Sequence, residues 1–188
     1  LHTHFGEGRN IMRLAQEYAI NPSEIYTTYV CEACKAFEVR SFSGQRINCD
    51  HCQTENSMIT TSPALGITED QLNVVYNLMD VYCHPFTSGG QEIPIQEAKL
   101  AGLITLVTNY SCGEDMCERD AATLPLDWSE YREHDTEFRK ASTKPESIAN
   151  RLEEVFMMPE GVRLEFGRQA REWTIENYSI QSMGPTLE

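Results

Sequence analysis

Two Cys-x-x-Cys pairs, Cys31 with Cys34 and Cys49 with Cys52, constrain the fold of this chain more than any other feature. Fourteen residues separate the pairs. Four thiolates arranged in two such turns supply the complete ligand shell of a tetrahedral Zn²⁺ ion. The spacing therefore predicts a structural zinc bound by all four cysteines, with a redox-active cysteine pair or an iron site as the alternatives.

Residues 31–56 are predicted to form a small zinc ribbon inserted into a larger domain. A module of this size is too small for its own hydrophobic core and obtains most of its folding free energy from the metal. His51 lies inside the second pair, but we expect its side chain to face solvent because four thiolates already fill the shell. Of the other cysteines, Cys83 is expected in the core, and Cys112 and Cys117 are expected as free thiols in a loop.

The charge balance of the 188-residue chain limits the partners that it can bind. The chain has 15 basic and 29 acidic residues, and its formal charge is -14. This charge opposes general attraction to nucleic acid or anionic lipid. No stretch approaches the roughly 18 consecutive apolar residues of a membrane helix, and the N-terminus lacks a signal-peptide pattern. We expect a cytoplasmic protein without a membrane span, and the lack of an initiator Met suggests a fragment of a longer chain.

Outside the cysteine module, strand and helix patterns alternate along the chain. The predicted strands are 25–30, 80–84, 103–107 and 124–126. Helices are predicted at 8–19, 68–79 and 160–176. Two further helices are predicted, one that ends at Gly102 and one that begins at Pro145. Most of 109–137 is predicted as loop. This alternation indicates a parallel sheet covered on both faces. We predict an α/β, Rossmann-like domain formed by residues 1–30 and 57–188.

In open parallel sheets, ligands bind beyond the carboxyl ends of the strands. This rule points to the loops at 6–8, after Cys31, and at 87–93 and 109–114. The Gly-Gly turn within 87–93 lets the backbone approach a ligand closely, and the following helix start favours a phosphate. Glu97, one turn into that helix, can accept hydrogen bonds from ribose hydroxyls. The alternative is a purely structural turn followed by a solvated glutamate.

Two runs of residues lie around the Gly-Gly turn: Asp-Val-Tyr-Cys-His-Pro at 80–85 and Ser-Gly-Gly-Gln-Glu-Ile-Pro-Ile-Gln-Glu-Ala-Lys-Leu-Ala-Gly at 88–102. With these runs, the segment 72–114 resembles the donor-binding domain of retaining GT-B glycosyltransferases. Those domains carry an aspartate-led strand, a Pro-Ser turn, a Glu-Gly-Phe-Gly-Leu-Pro run and a second Glu in an Ala-Met-Ala-x-Gly helix. The positions that match in register are Pro94, Glu97, Ala98 and Gly102.

The resemblance implies one half of a GT-B fold. It implies a hexosyltransferase that moves a sugar from a nucleotide-sugar donor to an unknown acceptor with retention of configuration. An acceptor domain would precede this part in the same chain, and this part alone would be inactive. The donor-binding positions that the resemblance implies are Ser88, Gly89, Gly90, Gln91, Glu92, Ile93 and Glu97, with Glu97 on the ribose.

One departure from the family is that its first glutamate falls on Gly89. Three interpretations are open: Glu92 replaces it as the catalytic residue, the sugar is contacted differently, or catalysis is impaired. Impaired catalysis favours a competing function, a non-catalytic transferase fold whose zinc ribbon binds a protein or nucleic-acid partner. The ribbon leaves the sheet at the end of strand 25–30, so it either borders the ligand cleft or is an insert that contacts no ligand.

Overall fold

The computed structural model describes residues 1–2, 5, 8–62 and 64–187. The chain divides into two compact units, Leu1–Val75 and Tyr76–Glu188. The first contains an antiparallel sheet with the cysteine pairs, and the second contains a parallel sheet with flanking helices. The predicted mixed α/β class with a parallel sheet is confirmed. Of the predicted turn at 6–8, Gly6 and Glu7 lie outside the described residues.

The first unit is built around one central strand. Its elements are α1 (Ile11–Glu17), a 3-10 turn (Pro22–Glu24), β1 (Tyr26–Cys31), β2 (Phe37–Ser41), β3 (Met58–Thr60) and α2 (Glu69–Asn77), whose last residues belong to the second unit. Strand β1 pairs with β2 on one side and β3 on the other, and both pairings are antiparallel. The core of this unit includes Tyr29, Val30 and Met58, each at most 2% exposed.

The expectation that strand 25–30 belongs to the parallel sheet is wrong. Both of its edges are occupied by strands that flank the cysteine pairs, since Val30 aligns with Phe37 on one side and Ile59 on the other. All residues of β1 after Tyr26 are buried. A continuous buried run is typical of a parallel strand, but β1 is an antiparallel strand whose Tyr29 and Cys31 pack with Cys49 and Met58. The grouping of residues 1–30 with 57–188 stays a prediction.

The second unit has a three-stranded parallel sheet in the order β4-β5-β6. Its elements are β4 (Val81–His84), α3 (Ile93–Leu100), β5 (Ile104–Thr108), α4 (Gly113–Met116), β6 (Thr123–Leu126), β7 (Trp128–Arg132), β8 (Arg139–Thr143), α5 (Pro145–Met157), α6 (Glu160–Tyr178) and α7 (Ile180–Leu187). Strands β4 and β5 run in register from Val81 opposite Ile104 to His84 opposite Val107. Their carboxyl ends therefore meet at one edge.

Helices cover both faces of this sheet because side chains on a strand alternate between faces. Leu106 and Leu126 pack with Val155 of α5 on one face. On the other face, Val107 packs with Ile95 of α3. The core is thus shared by the strands and the helices that connect them, as the alternation of patterns indicates.

Two local signals in the sequence are confirmed. Thr68 and Gln71 form a reciprocal capping box, with each backbone N–H donating to the other side chain at 2.9 and 3.3 Å. Gly102 ends α3 with a left-handed backbone, φ 79°, which glycine adopts without strain.

The region 109–137 contains more regular structure than predicted. The strand at 124–126 is present as β6, but α4 and β7, the first strand of a hairpin with β8, lie where loop was predicted. The hairpin is anchored at the carboxyl edge, because the backbone N–H of Ala141 donates to the carbonyl of Thr87 at 2.8 Å. Its strands are largely exposed and charged, so no hydrophobic alternation marks them in the sequence.

Candidate metal centre and candidate donor site

The four cysteines of the two pairs come together in the first unit. Their sulfur atoms all lie within 4.8 Å of one another. Between the two pairs, the distance from Cys31 Sγ to Cys52 Sγ is 3.6 Å and the distance from Cys34 Sγ to Cys49 Sγ is 3.8 Å. Sulfur atoms about 2.3 Å from a central ion in a tetrahedron lie about 3.8 Å apart, whereas a disulfide needs about 2.05 Å. The cluster therefore has the dimensions of a tetrahedral metal site.

The two cysteine pairs share one backbone feature. Lys35 and Gln53 each follow the second cysteine of a pair, and each has a left-handed backbone, with φ of 62° and 58°. Residues other than glycine, asparagine and aspartate seldom adopt this conformation. The two cysteine turns therefore have the same uncommon backbone conformation at the same position.

The protonation of the cluster is uneven. Ser57 Oγ lies 3.3 Å from Cys31 Sγ and the N–H of Cys34 lies 3.5 Å from it, and these contacts lower the pKa of Cys31 to about 6. At Cys34 the backbone N–H of Ala36 lowers the pKa, but desolvation and the three neighbouring sulfurs outweigh it and raise the pKa to about 12. Four thiolates at this spacing would repel one another, and a bound cation would relieve that repulsion.

The structure also locates His51 and the three cysteines outside the pairs. His51 is exposed, as expected. Cys83 packs against the parallel sheet's core. Cys112 and Cys117 do not lie in an open loop but flank the short helix α4, and both are partly buried. Burial raises the pKa of Cys117 to about 11, so its thiol stays protonated at neutral pH.

The predicted donor residues lie at the carboxyl edge of the parallel sheet, in the turn after β4 and in α3. Gly89, Glu92 and Glu97 are partly buried. The exposed ones are Ser88, Gly90, Gln91 and Ile93. The turn is thus largely exposed, whereas the two residues that carry carboxylates are partly buried.

Glu92 occupies the N-cap position of α3 without capping it. Glutamate is a poor N-cap compared with Ser, Thr, Asp or Asn, and its side chain turns instead to His84, whose Nε2 lies 3.2 Å from Glu92 Oε2. The hydroxyl of Tyr82 lies 3.1 Å from the other ring nitrogen, Nδ1. Glu92 thus leaves the helix uncapped and joins a partly buried polar chain of three residues, and a departure of this kind from local preference is expected at functional sites.

Gly89 leaves room for the Glu92 carboxylate. A Cβ built on Gly89 would overlap Glu92 Oε1 and would lie 3.2 Å from its Cδ and 3.4 Å from Cys112 Sγ. The hydroxyl of Ser111 donates to the Gly89 carbonyl at 2.8 Å, which ties the turn to the loop after β5. The carboxylate of Glu92 therefore fills the space into which a side chain at position 89 would project.

Glu97 accepts a hydrogen bond from the hydroxyl of Tyr76 at 2.9 Å. Burial, and next this hydrogen bond, raise the pKa of Tyr76 above its ordinary value of 10. The tyrosine remains a donor and fixes one carboxylate oxygen of Glu97. Sequence reasoning missed Tyr76 because it lies 21 positions away on another helix, but Tyr82 carried a signal: it lies two residues before His84 on one strand and so shares its face.

Lys99 is a buried cation beside this region. It is fully buried and donates from Nζ to the carbonyls of Met116 and Ala121 at 3.1 and 2.6 Å. Its Nζ also lies 4.4 Å from the ring centroid of Trp173. No ion pair to Lys99 is found in the described part of the chain, and burial lowers the pKa of Lys99 to about 8.

Comparison with protein-family models, with curated proteins and with solved structures finds no match to this chain. Among the helices within the described residues, none combines the length and apolar character needed to cross a membrane.

Proposed function

We propose that the second unit binds a nucleotide sugar at the carboxyl edge of its parallel sheet and is the donor-binding part of a retaining glycosyltransferase of the GT-B type. The observation that carries this proposal is the position of the Glu92 carboxylate. It fills the space beside Gly89, the position on which the family's first glutamate falls. Of the three interpretations left open by the sequence, this contact favours replacement of that residue by Glu92.

The proposed roles follow from position and chemistry. Glu97 accepts hydrogen bonds from the ribose hydroxyls with the oxygen that Tyr76 leaves available. The exposed backbone of Gly90 and Gln91 and the N-terminus of α3 face the diphosphate, whose negative charge is favoured there. Glu92 contacts the sugar. Transfer to an acceptor requires the acceptor domain that the family carries elsewhere in its chain.

We also propose that the cysteine cluster holds a structural Zn²⁺ ion. Two Cys-x-x-Cys turns and a strand pair are the arrangement of zinc ribbons, and the shell of four thiolates leaves no open position for a reacting group. The metal then stabilises the first unit and takes no part in sugar transfer. Elemental analysis of protein purified under reducing conditions without chelator should give one zinc per chain, and iron or no metal would overturn this assignment.

The competing function is a non-catalytic module that binds a protein or nucleic-acid partner. Calorimetric titration with UDP, GDP and ADP, and with a single-stranded oligonucleotide, separates the two. We expect one of the nucleoside diphosphates to bind and the oligonucleotide not to bind, because the chain carries a charge of -14.

The Glu97→Gln variant sharpens this test. It keeps the shape of the side chain but removes the charge, so affinity for the bound nucleoside diphosphate should fall about tenfold, a loss of about 1.4 kcal/mol. Glu160→Gln is the matched control, since Glu160 is an exposed first-turn glutamate of α6. If none of the three nucleotides binds, or if both variants bind as the wild type does, the proposed donor site is refuted.

A further inference from the structure

Three side chains at the end of β4 form a continuous polar chain: Tyr82, His84 and Glu92. The two hydrogen-bond distances are 3.1 Å from the Tyr82 hydroxyl to His84 Nδ1 and 3.2 Å from His84 Nε2 to Glu92 Oε2. We infer that His84 is a positioning residue for Glu92: it holds one carboxylate oxygen and leaves the other for a hydroxyl of the donor sugar. This inference rests on the proposed function.

The hydrogen-bond donors and acceptors among Tyr82, His84 and Glu92 follow from the chemistry of the carboxylate and the phenol. An ionised carboxylate only accepts hydrogen bonds, so His84 must donate from Nε2. In the neutral ring, Nδ1 is then an acceptor, and the Tyr82 hydroxyl donates to it. Burial, and next the charge of Glu92, raise the pKa of Tyr82 to about 12, so the phenol keeps the proton that it donates. Tyr82 thereby selects the ring tautomer that serves Glu92.

The imidazole ring is also fixed by its neighbours. It stacks on the Tyr82 ring at a centroid distance of 5.5 Å with 17° between the planes, and it contacts Phe86 at 5.4 Å. A ring held on two sides loses little further freedom when Glu92 binds a ligand. Such pre-organisation raises affinity for the group that the carboxylate contacts.

The two oxygens of Glu92 are therefore not equivalent. Oε2 is engaged by His84, whereas Oε1 lies beside Gly89 and receives no hydrogen bond from the described residues. A single free acceptor, fixed in place, suits one hydroxyl of a hexose. The site should distinguish a nucleotide sugar from the nucleoside diphosphate alone through this contact.

The experiment compares affinities for two probes: the tightest binder among UDP, GDP and ADP, and its glucose conjugate. His84→Phe keeps an aromatic ring but cannot donate, and Glu92→Gln removes the charge. Each should weaken binding of the glucose conjugate about tenfold and change binding of the diphosphate less than about twofold. Both substitutions act on the same contact. The loss of affinity for the glucose conjugate in the double variant should therefore be about the same as in either single variant. His84→Gln, whose amide can donate, should recover part of the loss.

The outcomes separate the inference from the proposed function. If the wild-type chain binds neither probe, the proposed function fails and the inference fails with it. If both probes bind but His84→Phe weakens the binding of both equally, His84 has only a structural role. The same conclusion follows if the losses of affinity of the two single variants add in the double variant. Should His84→Phe not fold, ¹⁵N spectra of the wild-type imidazoles decide: the account requires the Nε2–H tautomer for His84, and the Nδ1–H tautomer overturns it.

Discussion

The carboxylate of Glu92 lies where the side chain of a residue at position 89 would begin, and Gly89 is what permits this. Under the proposed function, the acid that GT-B donor domains carry at position 89 is replaced here by an acid three residues later, at the start of α3. The two positions are thus coupled: a side chain at 89 and the observed position of Glu92 exclude each other.

A methyl group added at Gly89 tests this coupling. Gly89→Ala should displace the Glu92 carboxylate from His84 and weaken binding of a nucleotide sugar about tenfold. Gly90→Ala is the matched control, because a Cβ there meets no atom within 4 Å. Neither glycine has a left-handed backbone, so alanine adds no strain of its own. Equal effects of the two variants in calorimetric titrations would show that the Glu92 position is unimportant for binding.

Removal of the metal should unfold the cysteine module before the second unit. Cys49 is fully buried, so Cys49→Ser should release zinc and abolish the cooperative unfolding of residues 31–60, because structural zinc contributes about 10 to 16 kcal/mol in small modules. Cys112→Ser, outside the cluster, is the control and should retain one zinc. Hydrogen exchange of backbone amides with and without chelator provides the measurement. Unchanged protection of β1 and β3 after chelation would contradict a structural metal.

The burial of Lys99 should make the free energy of unfolding depend on pH. Its pKa is lowered to about 8 in the folded chain from an ordinary value of 10.5. Between these values the unfolded chain binds more protons than the folded chain, so stability rises with pH in that window. The slope from this residue is about 1.4 kcal/mol per pH unit at most. Below pH 8 its contribution is constant.

Tyr82 and Cys117 affect stability in the opposite direction, because burial raises the pKa of each. Their contributions to the free energy of unfolding fall as the pH rises beyond 9 to 10. The comparison of Lys99 with Lys99→Met is made in a Cys117→Ser background, because the charges of Lys99 and Cys117 interact, and both chains keep Tyr82. The free energy of unfolding in urea, measured at pH 7.5 and 9.5, should rise in the chain that keeps Lys99 relative to the Lys99→Met chain. A difference that is independent of pH would show that Lys99 keeps its ordinary pKa.

The parts of the structure that could be predicted from the sequence depend on local patterns. The cysteine cluster follows from spacing within two short turns, and the end of α3 follows from Gly102. Strand β5 could be recognised because it is a continuous buried run between two loops.

The parts that could not be predicted depend on contacts between distant residues. Strand β1 shows the same buried run as β5, but its partners flank the cysteine pairs, and the sequence of β1 itself does not identify them. The hydrogen bond from Tyr76 to Glu97 joins two helices. Replacement of an acid at position 89 by Glu92 was one of three interpretations open from the sequence, and the contact that favours it depends on side-chain geometry.

The most direct test of the donor site is to map where a nucleotide sugar contacts the chain. Backbone and side-chain NMR spectra should be recorded during titration with UDP-glucose, GDP-glucose and ADP-glucose. We predict that the conjugate that binds perturbs signals of residues 88–93, His84 and Glu97. Perturbations confined to other residues, or no perturbation with any of the three, would contradict the account.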